Sequence, residues 1–497
     1  MPVELHDLRP VLAPLISALC AGGVFVMGAS ARWRAIWSLA AAGVKFIIVW
    51  SMLPGSLAGS VYVFRLGEVL PGLAIAFRVD AFGLFFALVT ATLWIVTTVY
   101  ALAYMRGSHA LRRFFGFFAL CISTTVAIAF AENLFTLFLF YELLTVCTYP
   151  LVIHGQDAEA RRAGRKYLAY TLAGGAAILA GMLLVYQAAG TLSLAEGGIL
   201  AGVEDQRILF LIFVTLVGGF GVKAAIIPLH AWLPAAMVAP TPVSALLHAV
   251  AVVKAGAFGV VRVLYDVFGV NLLKTLGLTA WLGYLAGFTI IAGSIMAMRQ
   301  NHFKARLAWS TISQLSYILL AASLLTPAGA LAAIIHLANQ AFTKVTMFFV
   351  AGAIEHNTGK THIDQLDGIG YRMPWTMAAF TIAGLSFMGV PLLAGFITKW
   401  YLSLGALSAG RGGFVALMAL SGLLNATYWL PIVYRAYFRA TGIPRLREET
   451  PWMMLAPILI CAAYIVLLGT GAQAPLMPFS LAESAVRLAF GLKGGLP

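Results

Sequence analysis

The chain has 497 residues, of which 61% are hydrophobic and 10% charged, and its mean hydropathy is +0.93. A soluble globular domain carries roughly 25% charged residues, so a water-soluble fold is excluded. The net charge of +14 would suit nucleic acid, but the basic residues are spread among loops and form no binding patch.

The predicted elements are apolar runs of roughly 20 residues, each able to cross a ~30 Å hydrocarbon core. In chain order they lie near residues 10–28, 35–53, 81–105, 114–131, 134–153, 167–190, 208–230, 241–265, 277–298, 307–326, 328–354, 374–403, 413–438 and 452–470. The expected fold class is an all-α polytopic membrane protein with about 14 transmembrane helices. The first run lacks a basic flank before it and a small-residue cleavage site after it, so it reads as a span and not as a cleavable signal.

Charge in the loops alternates. Loops after odd-numbered spans hold Arg32, Arg34, Arg106, Arg112, Arg113, Arg161, Arg162, Arg165, Lys166, Arg299, Lys304, Arg306, Lys360, Arg372, Arg439, Arg445 and Arg447. Loops after even-numbered spans hold Arg65, Arg78, Arg207, Lys274 and Arg411, so the ratio is 17 to 5 with Arg262 and Arg435, near span ends, set aside. The positive-inside rule places the odd loops in the cytoplasm of a bacterial (inner) membrane protein. With an even number of spans, both termini then lie on the outer, periplasmic side.

Six ionisable groups sit inside apolar runs: Lys45, Glu142, Lys223, Lys254, Lys344 and Lys399. A charge at membrane depth costs at least ~2.5–3.5 kcal/mol on insertion scales, so a set of them points to an ion pathway, with snorkelling from a helix end or a structural ion pair as the plainer reading. Cys20, Cys121, Cys147 and Cys461 are far apart and form no C-x-x-C pair. They read as small core residues, and no metal or cofactor is expected. There is no phosphate-binding glycine loop and no dinucleotide fingerprint. Any driving energy must come from other subunits.

Two runs carry matching interruptions. The seventh reads VTLVGGFGVKAAIIPLHAWLP around Lys223 and Pro228, and the twelfth reads LSFMGVPLLAGFITKWYL around Gly389, Pro391, Gly395 and Lys399. Proline removes a backbone donor and clashes with the preceding turn, so each helix is expected to break at membrane depth. Paired broken helices five spans apart suggest inverted five-helix repeats over spans 4–8 (114–265) and 9–13 (277–440). Residues 1–113 would form an N-terminal unit of three helices, and residues 441–497 a C-terminal helix and tail.

The run KAAIIPLHAWLPAAMVAPTPVSALLHAVAVVKAG at 223–256 resembles the antiporter-like subunits of respiratory complex I and of Mrp-type cation/proton antiporters. FYELLTVCTYPLV around Glu142, KARLAWSTISQLSYI at 304–318, HLANQAFTKVTMFFVAGAI at 336–354 and MPWTMAAFTIAGLSFMGVPLLAGFITKW at 373–400 extend the resemblance over roughly residues 75–440. The resemblance implies fourteen helices, inverted repeats and broken helices 7 and 12. It is closest to the D-type Mrp subunit: Lys254 lies in VVKAG, a feature shared with the D-type and with the middle complex I subunits, Lys399 is basic, and with about 27 residues after its last span no lateral helix is expected. One departure is Gln340, where the family often presents a second histidine; glutamine can hold water but carries no proton at neutral pH.

By this resemblance Glu142 pairs with Lys223, Lys254 is central, and Lys399 ends the proton path. His336, Gln340 and Lys344 recur every four residues and share a helix face. His248, six residues before Lys254 and rotated away from it, is a branch candidate, and His230 is a secondary one near the seventh span's end. Lys45 is expected to snorkel or to meet an acid from a neighbouring protein. Asp80, Glu132, Asp157, Glu159, His356, His362, Asp364 and Asp367 are expected as solvated loop charges, and Lys304 and Arg306 as orienting a helix start. The expected function is a proton-translocating subunit of a D-type Mrp sodium/proton antiporter. Alternatives are a pumping subunit of a complex I-like or hydrogenase complex, or the membrane half of an inorganic-carbon uptake system. Expected partners are the other subunits, protons and the lipid bilayer, with Na+ as the coupled ion in the antiporter reading.

Overall fold

The computed structural model describes residues 3–70, 73–439, 448–472 and 479–492; Arg445 and Arg447 of the loop-charge pattern lie outside them. The helices in the first half are α1 Arg9–Met27, α2 Ala31–Trp50, α3 Leu53–Leu57, α4 Ala81–Tyr104, α5 Leu111–Ala129, α6 Leu134–Val152, α7 Ala158–Ala189, α8 Gln206–Lys223, α9 Trp232–Ala235, α10 Thr241–Ala249 and α11 Val252–Arg262. The second half adds α12 Val270–Leu276, α13 Thr279–Met298, α14 Phe303–Ser323, α15 Pro327–Thr358, α16 Ile369–Arg372, α17 Pro374–Met388, α18 Ala394–Ser408, α19 Gly413–Phe438, α20 Trp452–Thr470 and α21 Phe479–Phe490.

Among the described residues, eleven helical segments are long and apolar enough to cross a membrane by length and composition, counting Ala31–Leu57 and Thr241–Phe268 as one each. The expected count of fourteen depends on three further segments: α14, α15 and the interrupted pair α17/α18. Polar side chains such as Gln314, His336, Gln340 and Lys344 dilute the hydropathy of α14 and α15. Those two helices are nevertheless deeply buried. Every residue of α15 from Gly329 to Ile354 is buried, so α15 is the rod around which the bundle is built. A helix enclosed all round needs no polar outer face.

Helix starts follow local chemistry. Asp80 caps α4 by accepting from the Gly83 N–H at 2.7 Å. Asn133 caps α6 through Thr136 at 2.7 Å, and Asp157 caps α7 through Ala160 at 2.6 Å. Asp157 is thus a capping group and not merely a solvated charge. A short sheet adds to the helical fold: β1 Val3–His6 runs parallel to β2 Ser60–Leu70, which pairs antiparallel with β3 Leu73–Val79. The alternating sequence VYVFRLGEVL that forms most of β2 lies in the connection between spans 2 and 3.

The loops sort into two faces. On one, the sheet joins the loops after spans 4, 6 and 8: Phe77 bridges Ala131, Asn133 bridges Ser193, and the Ile199 N–H donates to Val267 O at 2.8 Å. On the other, the His109 ring stacks on His154 with centroids 4.6 Å apart, His302 bridges His362, and Arg435 pairs with Asp367 at 2.9 Å. Even-numbered and odd-numbered loops therefore occupy opposite ends of the bundle.

Both expected interruptions are present. Helix α8 ends at Lys223, and the chain resumes helical form only at Trp232. Helix α17 ends at Met388, turns through Gly389 at φ +90°, and restarts as α18 at Ala394. A third break was not anticipated. Val250 and Ala251 leave helical geometry between α10 and α11 although neither is glycine or proline, so tertiary packing and not local sequence bends the chain there.

Candidate functional site

The expected contact ion pair between Glu142 and Lys223 is not formed. Lys223 Nζ donates instead to the Tyr141 carbonyl at 2.5 Å and lies 3.4 Å from the Tyr141 ring centroid. Glu142 Oε1 is buried without a hydrogen-bond partner among the described residues. The two groups nevertheless interact electrostatically. Lys223 is the last residue of α8, and its head reaches across to α6.

Gly256 lets α11 rest directly on that end: a Cβ there would stand 2.3 Å from Ala224 N and 2.7 Å from Lys223 C. Two residues earlier, Lys254 is 1% exposed, and its Nζ has no hydrogen-bond partner among the described residues. His248, at the end of α10, is fully buried with neither ring nitrogen partnered among them. Its ring lies 4.9 Å from that of Phe348. The α10–α11 break intervenes between His248 and Lys254, so unbroken-helix geometry does not relate them.

On α15 the three four-spaced residues reach different neighbours. His336 contacts Thr398 Oγ1 at 3.2 Å and Gln314 O at 3.1 Å, and stacks on Tyr317 at 5.4 Å. Gln340 donates to His248 O at 3.4 Å. Lys344 donates to Leu307 O at 3.2 Å and to the Ser310 hydroxyl, with the Phe387 ring 4.7 Å away. Lys344 interacts electrostatically with Lys254 and with His248. His336 does so with Lys254 and Lys399.

Lys399, half-buried on α18, donates to Met388 O at 2.8 Å, the carbonyl freed where α17 stops. Glycine is required at position 389, where φ is +90°, and Gly422 is a close neighbour. A Cβ at Gly389 would stand 2.8 Å from Lys399 Cδ, and one at Gly422 3.3 Å from Nζ. His230 lies outside this chain of contacts, its ring against Trp309 at 5.0 Å.

Two expectations about peripheral charges are corrected, and a third is filled in. Lys45 does not snorkel: it is fully buried, 3.5 Å from Ile122 O and 4.9 Å from the Trp94 ring, with no acid in salt-bridge range among the described residues. Asp80 is bound by Arg262, and Glu132, 8% exposed, by Arg65 at 2.7 Å, because the sheet and the neighbouring loops fold over them. Lys304 and Arg306 are themselves nearly buried, Arg306 holding Gln300 O at 2.7 Å and Tyr428 O at 3.0 Å. Sequence reasoning missed Tyr141, Ser310, Gln314, Tyr317 and Thr398, which contact the charged groups. For Ser310 and Thr398 the signal was polarity inside an apolar run; Tyr141 and Gln314 act through backbone carbonyls, which no residue type marks.

A multi-pass helical bundle with ionisable groups buried in its interior, Lys223 beside Glu142 and Lys254, Lys344, His248, His336 and Lys399 interacting among themselves, defines an integral membrane protein with a charged interior. Comparison with known proteins specifies the class. Residues 131–425 match the family described as NADH:quinone oxidoreductase/Mrp antiporter, TM. The chain is 33% identical over 390 residues to NADH-quinone oxidoreductase subunit N of Desulforudis audaxviator, covering 75% of this chain and 77% of that protein. It is 32% identical over 440 residues to a Rhizobium meliloti protein described as the probable A/B component of a K(+)/H(+) antiporter, covering 85% and 43%. It is also 32% identical over 450 residues to hydrogenase-4 component B of Escherichia coli, covering 84% and 65%. The chain thus spans less than two thirds of the length of the latter two relatives.

Among solved structures, a chain of the archaeal membrane-bound sulfane sulfur reductase superposes with a TM-score of 0.89 at 26% identity, over 98% of this chain and 99% of that one. A chain of the Mrp complex from Dietzia superposes at 0.85 and 22% identity, over 98% and 100%, a likeness of fold. The chain belongs to the NADH:quinone oxidoreductase/Mrp antiporter transmembrane family. It is an antiporter-like membrane subunit of the Mrp or complex I-like kind.

Proposed function

We propose that this chain carries protons along Glu142, Lys223, Lys254, Lys344 and Lys399, with His248, His336 and Gln340 as hydrated links, as the D-type subunit of an Mrp-type monovalent cation (Na+)/proton antiporter. The observation that carries the reading is the orphaned polarity of the axis: Glu142 Oε1, Lys254 Nζ and both His248 nitrogens are buried without partners among the described residues. Such groups are costly unless water or a proton visits them. An ammonium stripped of water gives up its proton readily, whereas a guanidinium does not. A proton arriving at one base repels the next, so the axis passes charge by displacement.

The same axis would serve a redox-driven pump, and the likeness to a respiratory sulfane sulfur reductase chain favours that second reading. We place the odd-numbered loops in the cytoplasm of a bacterial inner membrane and read residues 114–265 and 277–440 as inverted repeats around α8 and the α17/α18 break. The test uses the assembled complex in everted vesicles with Glu142→Ala and Lys399→Arg. Both variants are expected to lose at least ~10-fold in cation-driven proton movement while the complex stays intact. Wild-type flux in Glu142→Ala would remove the axis from the mechanism. Proton movement driven by an electron donor, and not by Na+, would select the second reading.

A further inference from the structure

A second ionic cluster lies at the even-loop end, outside the axis. Arg262, the last residue of α11, is 4% exposed. Its Nη1 donates to Asp80 Oδ2 at 2.5 Å and to Asp266 Oδ2 at 2.7 Å, and its Nη2 to Asp80 Oδ1 at 2.7 Å. Arg262 Nε is buried without a partner among the described residues. The bidentate grip on Asp80 ties the start of α4 to the end of α11, and a π-helical turn over Val263–Phe268 presents Asp266 to the same guanidinium. Such turns recur at functional positions.

Beneath the guanidinium lies an aromatic stack. Arg262 Cζ stands 5.1 Å from the Phe82 centroid and 5.0 Å from that of Phe258. Phe258 stacks on Phe82 at 4.5 Å and on Phe86 at 5.0 Å. Lys254, Phe258 and Arg262 follow at spacings of four on α11, so they run along one side of the helix, with Arg262 about 12 Å along the axis from Lys254.

Beside Arg262 is a cavity of about 30 Å³ lined by Asp80, Glu196, Tyr265, Asp266 and, from α21, Ala485. That volume holds one or two waters. Glu196, in the loop after span 6, is pushed above the usual carboxylate range by burial and then by the charge of Asp80.

We propose that this cluster is a closed proton port between Lys254 and the even-loop face, with Arg262 as its lid and Phe82, Phe86 and Phe258 as its dry plug. The inference rests on Lys254 carrying protons. When the Arg262–Asp80 grip opens, water enters past Phe258. The Lys254 ammonium gives its proton to that water chain, a freed carboxylate accepts it, and the carboxylate releases it to solvent. Closed, the stack excludes water from the path between the cluster and Lys254, and the guanidinium occupies both carboxylates that would otherwise take up a proton. A structural role alone explains neither the cavity nor the unpartnered Nε, since a buried triad is often no more stabilising than an apolar replacement.

The test measures passive proton leak in sealed vesicles holding the assembled complex, with an imposed pH gradient and no Na+ or electron donor. Phe258→Ala and Asp80→Asn are each expected to speed gradient decay several-fold. Phe258→Ala combined with Lys254→Met is expected to decay at the wild-type rate, because the leak passes Lys254. Phe114→Ala, which removes an equally buried ring near the odd-loop face, serves as a packing control and is expected to show no leak. Unchanged decay in both Phe258→Ala and Asp80→Asn overturns the port. So does a leak that survives Lys254→Met, or one that Phe114→Ala reproduces. Driven flux in the single variant Lys254→Met is read separately: its persistence would sink the transport role of Lys254, whatever the leak shows.

Discussion

Gly175 on α7 sets the space that the Glu142 carboxylate occupies. A Cβ there would stand 2.4 Å from Oε1 and 2.6 Å from Cδ, closer than atoms approach. The carboxylate would have to leave the position from which it interacts with Lys223. Gly175→Ala is therefore expected to cut driven proton flux at least ~10-fold while assembly persists. A one-methyl overpacking at a helix contact costs roughly 1–3 kcal/mol, which a large bundle tolerates. Gly218→Ala on α8, where a Cβ meets open space, is the control. Equal flux in the two variants would show that the carboxylate's position is not critical. Residue identity alone marked Glu142 as out of place in an apolar run. It did not reveal that Tyr141 O, and not Glu142, holds the Lys223 head, because that depends on where α8 stops.

At the scale of elements, the odd-loop end is tied by the loops after spans 3 and 5. The His154 ring is buried, with neither nitrogen partnered among the described residues, its carbonyl accepts from Arg113 at 3.0 Å, and its ring stacks on His109. Burial, with added repulsion from His109 and Arg113, pushes the imidazole down to about 4. The folded chain therefore takes up this proton later than the unfolded chain, whose histidine titrates near 6.5. Stability from this contact is complete above about pH 6.5 and falls as pH drops from there toward 4. The Tm in detergent is expected to decline over that interval, and to decline less in His154→Phe, which keeps the stack and removes the titration. An identical pH slope in the two proteins would assign the effect elsewhere. The breaks at Pro228 and Gly389 were legible because proline and glycine announce them. The break at Val250–Ala251 was not, since its cause is the packing of α10 against α15 and of α11 against α8.

For the whole molecule, the loop contacts divide the surface into two ends, which accessibility can test. All four native cysteines are buried, so introduced ones report alone. Ser193→Cys is expected to react with an impermeant thiol reagent from one side of a sealed vesicle, and Ser108→Cys from the other. With right-side-out vesicles, Ser193→Cys should be the outward one. Labelling of both from one side would refute the sidedness that the contacts and the 17-to-5 loop charge ratio share. The sequence carries no phosphate-binding glycine loop and no dinucleotide fingerprint, so the purified protein by itself in liposomes is expected to give no cation-driven proton exchange, and partner subunits to restore it. Robust exchange by the lone chain would overturn that dependence.

The sequence by itself determined the class, the approximate positions of most spans, the alternation of loop charge and five of the buried bases. These follow from one-dimensional constraints: a span must be apolar for about 20 residues, and an ionisable group inside it stands out wherever the chain folds. Tertiary structure alone decided which carbonyl each lysine meets, that Glu142 and Lys223 stand apart, that Lys45 is buried without an acid among the described residues, and that Asp80 and Glu132 are paired instead of solvated. It also brought Asp80 to Arg262 across 182 residues of sequence. Those facts depend on helix packing within tenths of an ångström, set by glycines such as Gly175 and Gly256, and no spacing along the chain encodes them.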